Sequence, residues 1–348
     1  MESLWFVLVA LMLAVYVLLD GFDLGAGAIH PFVARSETER RMIYRAIGPV
    51  WDGNEVWLIA AGGTLFFTFP RLYAAGFSGF YLPLMIVLWL LMLRGLSLEL
   101  RAHIHNPVWS GLWDGLFFLG STLLAVFYGA ALGNVVRGVP LDAQGYFFEP
   151  LWTDFNPSGT TPGILDWYTV LVGLLALAAL VLHGAHYVAF KTEAQLNTRC
   201  RRVAGRALVA TAALTLIVTL ATFALRPLLL GSFALRPWGV VFPLLVLGGL
   251  IGSWWSQAHQ HDGRSLVASG IYLAGMLTSA AFTLYPAVLP AVDPTHTLTV
   301  SNASAPTYGL VVGLIWWVIG MVLAVVYFVL IYRLFWGKVQ LTEGETGY

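Results

Sequence analysis

A single cysteine, Cys200, stands in 348 residues, so neither an intrachain disulfide nor a thiolate-built metal cluster can form. Charge is equally scarce. Asp, Glu, Lys and Arg together make up 10% of the chain, against about 25% in ordinary soluble domains. That is too little to wet the surface of a globule this size, so lipid must be the main solvent. The 18 basic and 18 acidic residues cancel, which removes the electrostatic ground for a nucleic-acid partner. No phosphate-binding loop, dinucleotide fingerprint, zinc spacing or nucleophile elbow occurs. The chain is therefore expected to hold no catalytic residue and no metal site of its own. No Lys or Arg precedes the first apolar run, and no convincing small-residue cleavage site follows it, so the N-terminus reads as a retained span.

What the chain has in abundance is apolar surface, at 59% of residues. A spanning helix takes about 20 such residues at about 1.5 Å rise each. Nine runs qualify, near 4–29, 47–69, 77–96, 115–135, 164–190, 204–225, 238–256, 265–289 and 308–335. They are too long and too uniformly apolar for the alternating strands of a lipid-facing barrel. The expected architecture is an all-α integral membrane protein. Four helices fill 1–135, a loop covers 136–163, four more helices fill 164–290, and a ninth helix with a tail occupies 291–348.

Basic residues orient these spans. Fourteen of the 18 fall in the loops after odd-numbered spans and in the C-terminal tail: Arg35, Arg40, Arg41, Arg45, Arg94, Arg101, Lys191, Arg199, Arg201, Arg202, Arg206, Arg264, Arg333 and Lys338. Cytoplasmic loops concentrate Lys and Arg, so the expectation is a multi-pass protein with its C-terminus in the cytoplasm and its N-terminus outside. Trp254, Trp255, Trp316 and Trp317 can serve equally as interfacial anchors or as bundle-core aromatics.

Acids at membrane depth are the candidates for chemistry. Asp20 and Asp23 end the first span at i, i+3 and share a helix face. Gly21 and Gly25 beside them allow a second backbone to approach. Asp52 and Glu55, with Asn54 between them, repeat the i, i+3 spacing at the start of the second span, after Pro49. An aspartate at mid-span costs about 2.5–3.5 kcal/mol on insertion scales and so turns toward protein or water. Four carboxylates on two adjacent spans, desolvated and mutually repelling, suit proton carriage. In the competing readings Asp20 and Asp23 reach the interface and Asp52 caps a helix. At the end of the third span Arg94, Glu99 and Arg101 suggest interfacial ion pairing, and Asp114 reads as an N-cap of the fourth. Together these residues could instead form the wet mouth of a proton path. His183 and His186, i and i+3 in the fifth span, read as hydrogen-bonded core residues ahead of haem ligands. His103, His105, His259 and His261 lie in cytoplasmic loops without a ligand pattern, His30 follows the first span, and His296 sits in an outer loop.

Several stretches in the first 140 residues resemble subunit 2 of the cytochrome bd quinol oxidases. They are Tyr16-x-x-x-Asp20-Gly-Phe-Asp23-x-Gly25-x-Gly27, Thr38-Glu-Arg-Arg41, Trp51-Asp-Gly-Asn54-x-Val-Trp-Leu58 and Ala61-Gly-Gly63. Tyr73-Ala74, Phe77-Ser-Gly-Phe-Tyr81, Trp113-Asp114, Gly120-Ser121, Gly133-Asn134 and Gly138-Val-Pro140 continue the likeness. The resemblance implies nine helices as two four-helix bundles plus one. It implies a heterodimer with a larger subunit 1 that carries two haems b and one haem d, to which small accessory subunits can be added. The complex would oxidise quinol, reduce O2 to water and generate proton motive force in a bacterial inner membrane, with no haem on this chain. Trp51 and Asp52 match positions proposed to line a proton path toward haem d, with Asp20 and Asp23 near it. Glu55 stands where some relatives carry glutamine. A structural quinone can occupy this subunit's lipid-facing surface in some members, though no residue here marks such a site. A proton-coupled secondary transporter is the alternative that midplane acids and two bundles would also fit.

Overall fold

The structure, a computed structural model, describes residues 1–104, 106–159 and 162–340. His105, and the C-terminal end of the tail expected in 291–348, lie outside these residues. The helices are α1 (Glu2–Val33), α2 (Glu37–Ile47), α3 (Trp51–Thr68), α4 (Pro70–Gly79), α5 (Tyr81–Leu100), α6 (Pro107–Arg137), α7 (Trp167–Lys191) and α8 (Ala194–Leu225). They continue with α9 (Gly231–Leu235), α10 (Val241–Ala258), α11 (Asp262–Leu284), α12 (Val300–Ala303) and α13 (Thr307–Leu334). A two-stranded antiparallel hairpin, β1 (Ala287–Leu289) and β2 (Leu298–Thr299), follows α11.

Among the described residues, eight helices are each long and apolar enough to cross a membrane, and α3 with α4 makes a ninth if the pair is one span bent by 119°. The bend has a local cause. Pro70 disfavours helical geometry at the residue before it, and Phe69 sits at φ −130°, ψ 65°. The span expected at 47–69 therefore starts later, after a turn at Gly48–Val50, and the one expected at 77–96 is α5, shifted toward the C-terminus. The eighth span ends at Leu284, because Pro286 stops the helix and the chain turns into β1. Residues expected in a loop, Arg199, Arg201, Arg202 and Arg206, belong to the first turns of α8. Arginine is a good helix former, so the helix extends past its apolar part.

α1 is the central helix, packing on α3, α6, α7 and α11. Glycine makes one of these crossings possible. A Cβ on Gly25 would lie 1.9 Å from the Leu180 carbonyl oxygen, and one on Gly184 would lie 2.4 Å from the Ala26 nitrogen. Helices α5 and α6 complete the first bundle, while α7 leads into α8, α10 and α11 in the second. α13 lies outside both and buries only Leu310. It still reaches inward, because Trp317 Nε1 donates to Met12 Sδ and Tyr327 lies against Gly53.

The two faces of the bundle differ. On the N-terminal side, Ser3 Oγ bonds Tyr285 OH at 2.8 Å and the hairpin bridges Val139 through Ala291. On the opposite side, Lys338 Nζ donates to the Ala189 and Thr192 carbonyls, capping the C-terminus of α7. Trp254, Trp255 and Trp316 are exposed, whereas Trp317 packs on Trp5.

Candidate functional site

Three helices bring ionisable side chains to one point. Arg94 on α5 is fully buried; its Nη1 donates to Asp20 Oδ2 at 2.9 Å and to Glu55 Oε1 at 2.9 Å. Its Nη2 donates to Asp20 Oδ1 and lies 3.9 Å from Asp23 Oδ2. Asn54 Nδ2 donates to Asp23 Oδ2 at 2.8 Å and to the Leu19 carbonyl at 3.3 Å. Tyr332 on α13 donates to Asn54 Oδ1 at 2.9 Å. One guanidinium thus faces three carboxylates. Asp20 and Asp23 are fully buried, and Glu55 keeps 23% of its side chain exposed. A planar fork is the natural partner for two carboxylates at once, which a point-charged ammonium would not match.

The sequence expected four carboxylates, Asp20, Asp23, Asp52 and Glu55, to gather; Asp20, Asp23 and Glu55 meet at Arg94, and Asp52 turns outward instead. It placed Arg94 at an interface, and there the structure corrects it. Arg94 projects inward from the last two turns of α5, where burial of its charge is offset by Asp20 and Glu55. Tyr332 was missed as a partner of Asn54, since a lone tyrosine near the end of an apolar helix reads as an interfacial anchor.

Trp51 and Asp52 leave the cluster in opposite directions. Trp51 is buried, with its ring edge against Gly95. Asp52 is exposed and shares an outward stripe of α3 with exposed Val56, Ile59 and Phe66. It does not cap α3, whose N-cap is Val50.

A second group closes the C-terminal side of α1. Arg101 Nε donates to Asp114 Oδ1 at 2.6 Å, Nη2 donates to Glu37 at 2.9 Å, and the guanidinium lies 4.7 Å from the Tyr44 ring. Arg40 comes within 3.6 Å of Asp114. The N-cap role expected for Asp114 falls to Asn106, whose Oδ1 accepts from the Val108 and Trp109 amides one residue before Pro107. Asp114 sits two turns further in and serves Arg101. Glu99 is exposed on the last turn of α5.

The histidine pair of α7 is saturated. His183 Nε2 meets the Leu18 carbonyl at 3.0 Å and its Nδ1 meets Ser269 Oγ at 2.8 Å; His186 contacts Ser269 Oγ and Gln257 Nε2. All four ring nitrogens are engaged, so the residues do not fit an axial haem ligand. Among the described residues no group of three or more His, Cys, Asp or Glu could hold a metal ion.

On the other side of the molecule, Arg137 binds Glu149 at 2.6 Å, Asp166 and Asn134, tying the α6–α7 loop to the start of α7. Burial pushes the Glu149 carboxyl up to about 7, with Asp166 adding to the rise and Arg137 opposing it.

The sequence matches the family described as cytochrome bd terminal oxidase subunit II over residues 1–335. The chain belongs to that family. It is 32% identical to the "Probable cytochrome oxidase subunit 2" of Haemophilus influenzae over 98% of this chain and 95% of that one. It is 31% identical to the cytochrome bd ubiquinol oxidase subunit 2 of Bacillus subtilis, covering 89% and 88%. The cytochrome bd-I ubiquinol oxidase subunit 2 of Escherichia coli K12 is 36% identical over 65% of this chain and 56% of its own length. Among solved structures, the bd oxidase from Geobacillus thermodenitrificans superposes with a TM-score of 0.76 at 18% identity, covering 96% of this chain and 98% of that one. That likeness shows the fold. A multi-pass subunit of a bacterial respiratory oxidase, working beside a partner subunit, follows from the family.

Proposed function

We propose that this chain is the haem-free subunit of a quinol:oxygen oxidoreductase, supporting a haem-bearing subunit 1 and conducting protons to the site of oxygen reduction. The observation that carries the reading is the buried imbalance of one guanidinium against Asp20, Asp23 and Glu55. With Arg94 committed to Asp20 and Glu55, Asp23 is left with an amide partner on one oxygen and none on the other. A buried carboxyl with that freedom holds and releases a proton at little structural cost. Glu55, partly exposed, connects the group to the chain surface.

Asp52 has a different part in this reading. A carboxylate on an outward apolar stripe is costly against lipid, so we place it at the boundary with subunit 1, where a proton would leave this chain. The redox chemistry, with two haems b and one haem d, belongs to the partner; saturation of His183 and His186 supports that division. The basic side of the bundle, bearing Arg40, Arg101 and Lys338, faces the cytoplasm, and the N-terminal side faces outward. Family membership favours this reading over a proton-coupled carrier.

Reduced-minus-oxidised spectra separate the parts of the proposal. The purified complex should show haem bands and this chain alone should show none. Haem retained by the isolated chain would refute its haem-free role. Asp52→Asn should keep haem content while lowering quinol oxidation, and full turnover in that variant would remove Asp52 from the path.

A further inference from the structure

Between α8 and α10 the chain repeats itself. Phe223-Ala-Leu-Arg226-Pro227 recurs ten residues on as Phe233-Ala-Leu-Arg236-Pro237. A residue before proline is driven out of helical geometry, and proline then suits the first turn of a new helix. Both arginines accordingly take nearly the same backbone angles, φ −130°, ψ 67° and φ −135°, ψ 75°. Each ends a helix and is followed by a short 3-10 turn, Pro227–Leu230 and Pro237–Val240. Two arginine corners result, joined by α9. They lie on the N-terminal side of the molecule, where Arg236 meets the Tyr285 carbonyl and Ser3 meets the Tyr285 hydroxyl.

The Arg236 guanidinium is fixed in place. It lies 4.7 Å from the Phe282 ring centroid and 5.0 Å from that of Tyr285. Its Nη2 donates to the Tyr285 carbonyl at 3.0 Å and to the Phe282 carbonyl at 3.4 Å. Capping the end of α11 uses that nitrogen alone. Nε and Nη1 make no hydrogen bond to any described residue. No acid occurs anywhere between Ala194 and His261. Arg137, on the same side of the molecule, has two carboxylates, Glu149 and Asp166. Arg226 has none. Its Nη1 lies 3.2 Å from where a Gly138 Cβ would stand, and burial pulls its guanidinium below its ordinary value with no carboxylate to raise it. Two cations without counter-ions therefore stand on one apolar segment.

Beside them is a cleft. Arg236 lines about 570 Å³ together with Leu228, Gly231, Ser232, Leu235, Tyr285 and Pro286, a volume within the about 300–1,000 Å³ of small-molecule sites. Ser232 Oγ is spent on the Thr283 carbonyl at 3.0 Å, so the unspent donors of the cleft gather at Arg236. Leu228 and Leu235 are 88% and 83% exposed, and Trp238 is exposed past the second corner. Such side chains on a membrane protein belong against lipid, with the tryptophan at headgroup level. An apolar slot that ends in free guanidinium N–H groups suits an amphiphile with an anionic head, since the planar fork matches a phosphate with two parallel bonds.

We propose that this cleft binds one anionic phospholipid, its phosphate on Nε and Nη1 of Arg236 and an acyl chain along Leu228, Leu235 and Pro286. Arg226 adds a second uncompensated positive charge, which favours an anionic head over a zwitterionic one. The lipid ties the α8–α10 connection to the end of α11 and stabilises the second bundle by binding the folded form alone. The site is separate from the carboxylates around Arg94 and does not depend on proton conduction.

The test uses the purified complex with subunit 1 and phosphatidylglycerol that carries a photoactivatable acyl chain, followed by peptide mass mapping. Label should fall on the peptides holding Leu228–Arg236 and Tyr285–Pro286, several-fold above that from the phosphatidylcholine analogue. Arg236→Gln should cut the label by about tenfold, as loss of a charge-assisted bond does. Arg236→Lys should cut it less, since an ammonium keeps the charge and loses the fork. A Cβ on Gly231 meets no atom within 4 Å, so Gly231→Phe fills the cleft without a clash and remains informative if Arg236→Gln fails to assemble. It should abolish the label at wild-type haem content. Equal labelling by the two lipids, unchanged label in Gly231→Phe, or no label on these peptides would each overturn the site. Competition by a quinone analogue and none by unlabelled phosphatidylglycerol would give the cleft to a different ligand and overturn it too.

Discussion

Arg94 grips Asp20 with both terminal nitrogens, from a helix 74 residues further along the chain. The pair fixes the depth of α5 against α1 and leaves Nη1 to reach Glu55 as well. Breaking a buried pair by removing one partner typically costs about 3–5 kcal/mol, because the other charge is stranded. Arg94→Gln should therefore reduce the yield and melting temperature of the assembled complex sharply. Arg94→Lys should recover only part of the loss, since an ammonium cannot supply the planar fork. Thermal unfolding of the two variants, compared at equal haem content, checks this order.

Tyr332 joins the outlying α13 to the cluster through Asn54. Tyr332→Phe keeps the ring and leaves Asn54 Oδ1 without this donor. A stranded buried acceptor costs about 1–3 kcal/mol. The melting temperature should drop measurably, and Leu330→Ala, on an exposed part of the same helix, should drop it less.

The α1–α7 crossing should tolerate nothing larger than glycine at two positions. In Gly184→Ala the new methyl meets backbone atoms of Gly25 and Ala26 within 2.5 Å. Overpacking of this kind costs about 1–3 kcal/mol, and more where backbone must move. The expected outcome is loss of assembled complex on size-exclusion chromatography. Normal yield would show that the helices can separate freely.

Glu149 sets a pH dependence on the opposite side of the molecule. Burial holds its carboxyl at about 7 in the fold, above its ordinary value of 4.5. A raised carboxyl binds its proton more tightly when folded. Its contribution is therefore fully present below the ordinary carboxylate range and is lost as pH rises through about 7. Amide exchange in the loop between α6 and α7, corrected for intrinsic rates, should show weaker protection above neutral pH. Glu149→Gln should flatten that dependence, and an unchanged slope would remove Glu149 as its source.

The spans were legible because apolar length survives in one dimension. So was the sharing of a face by Asp20 and Asp23, which follows from i, i+3 spacing alone. Partnerships between helices were not. Axial position marks Arg94 as lying near a helix end, but only rotation about the axis decides whether it faces headgroups or Asp20, and no pattern on α5 reveals that. Asp114 misled for a related reason. Asn106-Pro107 was the stronger start signal, and it lies outside the apolar run by which the span was recognised. The hairpin after α11 is too short to announce itself, and its pairing with Val139 joins residues far apart in sequence.

The most direct test of the account is quinol oxidation per haem by Asp23→Asn in the assembled complex. The amide keeps the shape of the site and the bond from Asn54 can reorganise around it, yet the group can no longer hold a proton. Proton-transfer groups typically contribute about 10²–10⁴-fold to rate. The account predicts normal haem content with turnover lowered by about tenfold or more. Normal haem content with wild-type turnover across the pH range would contradict it.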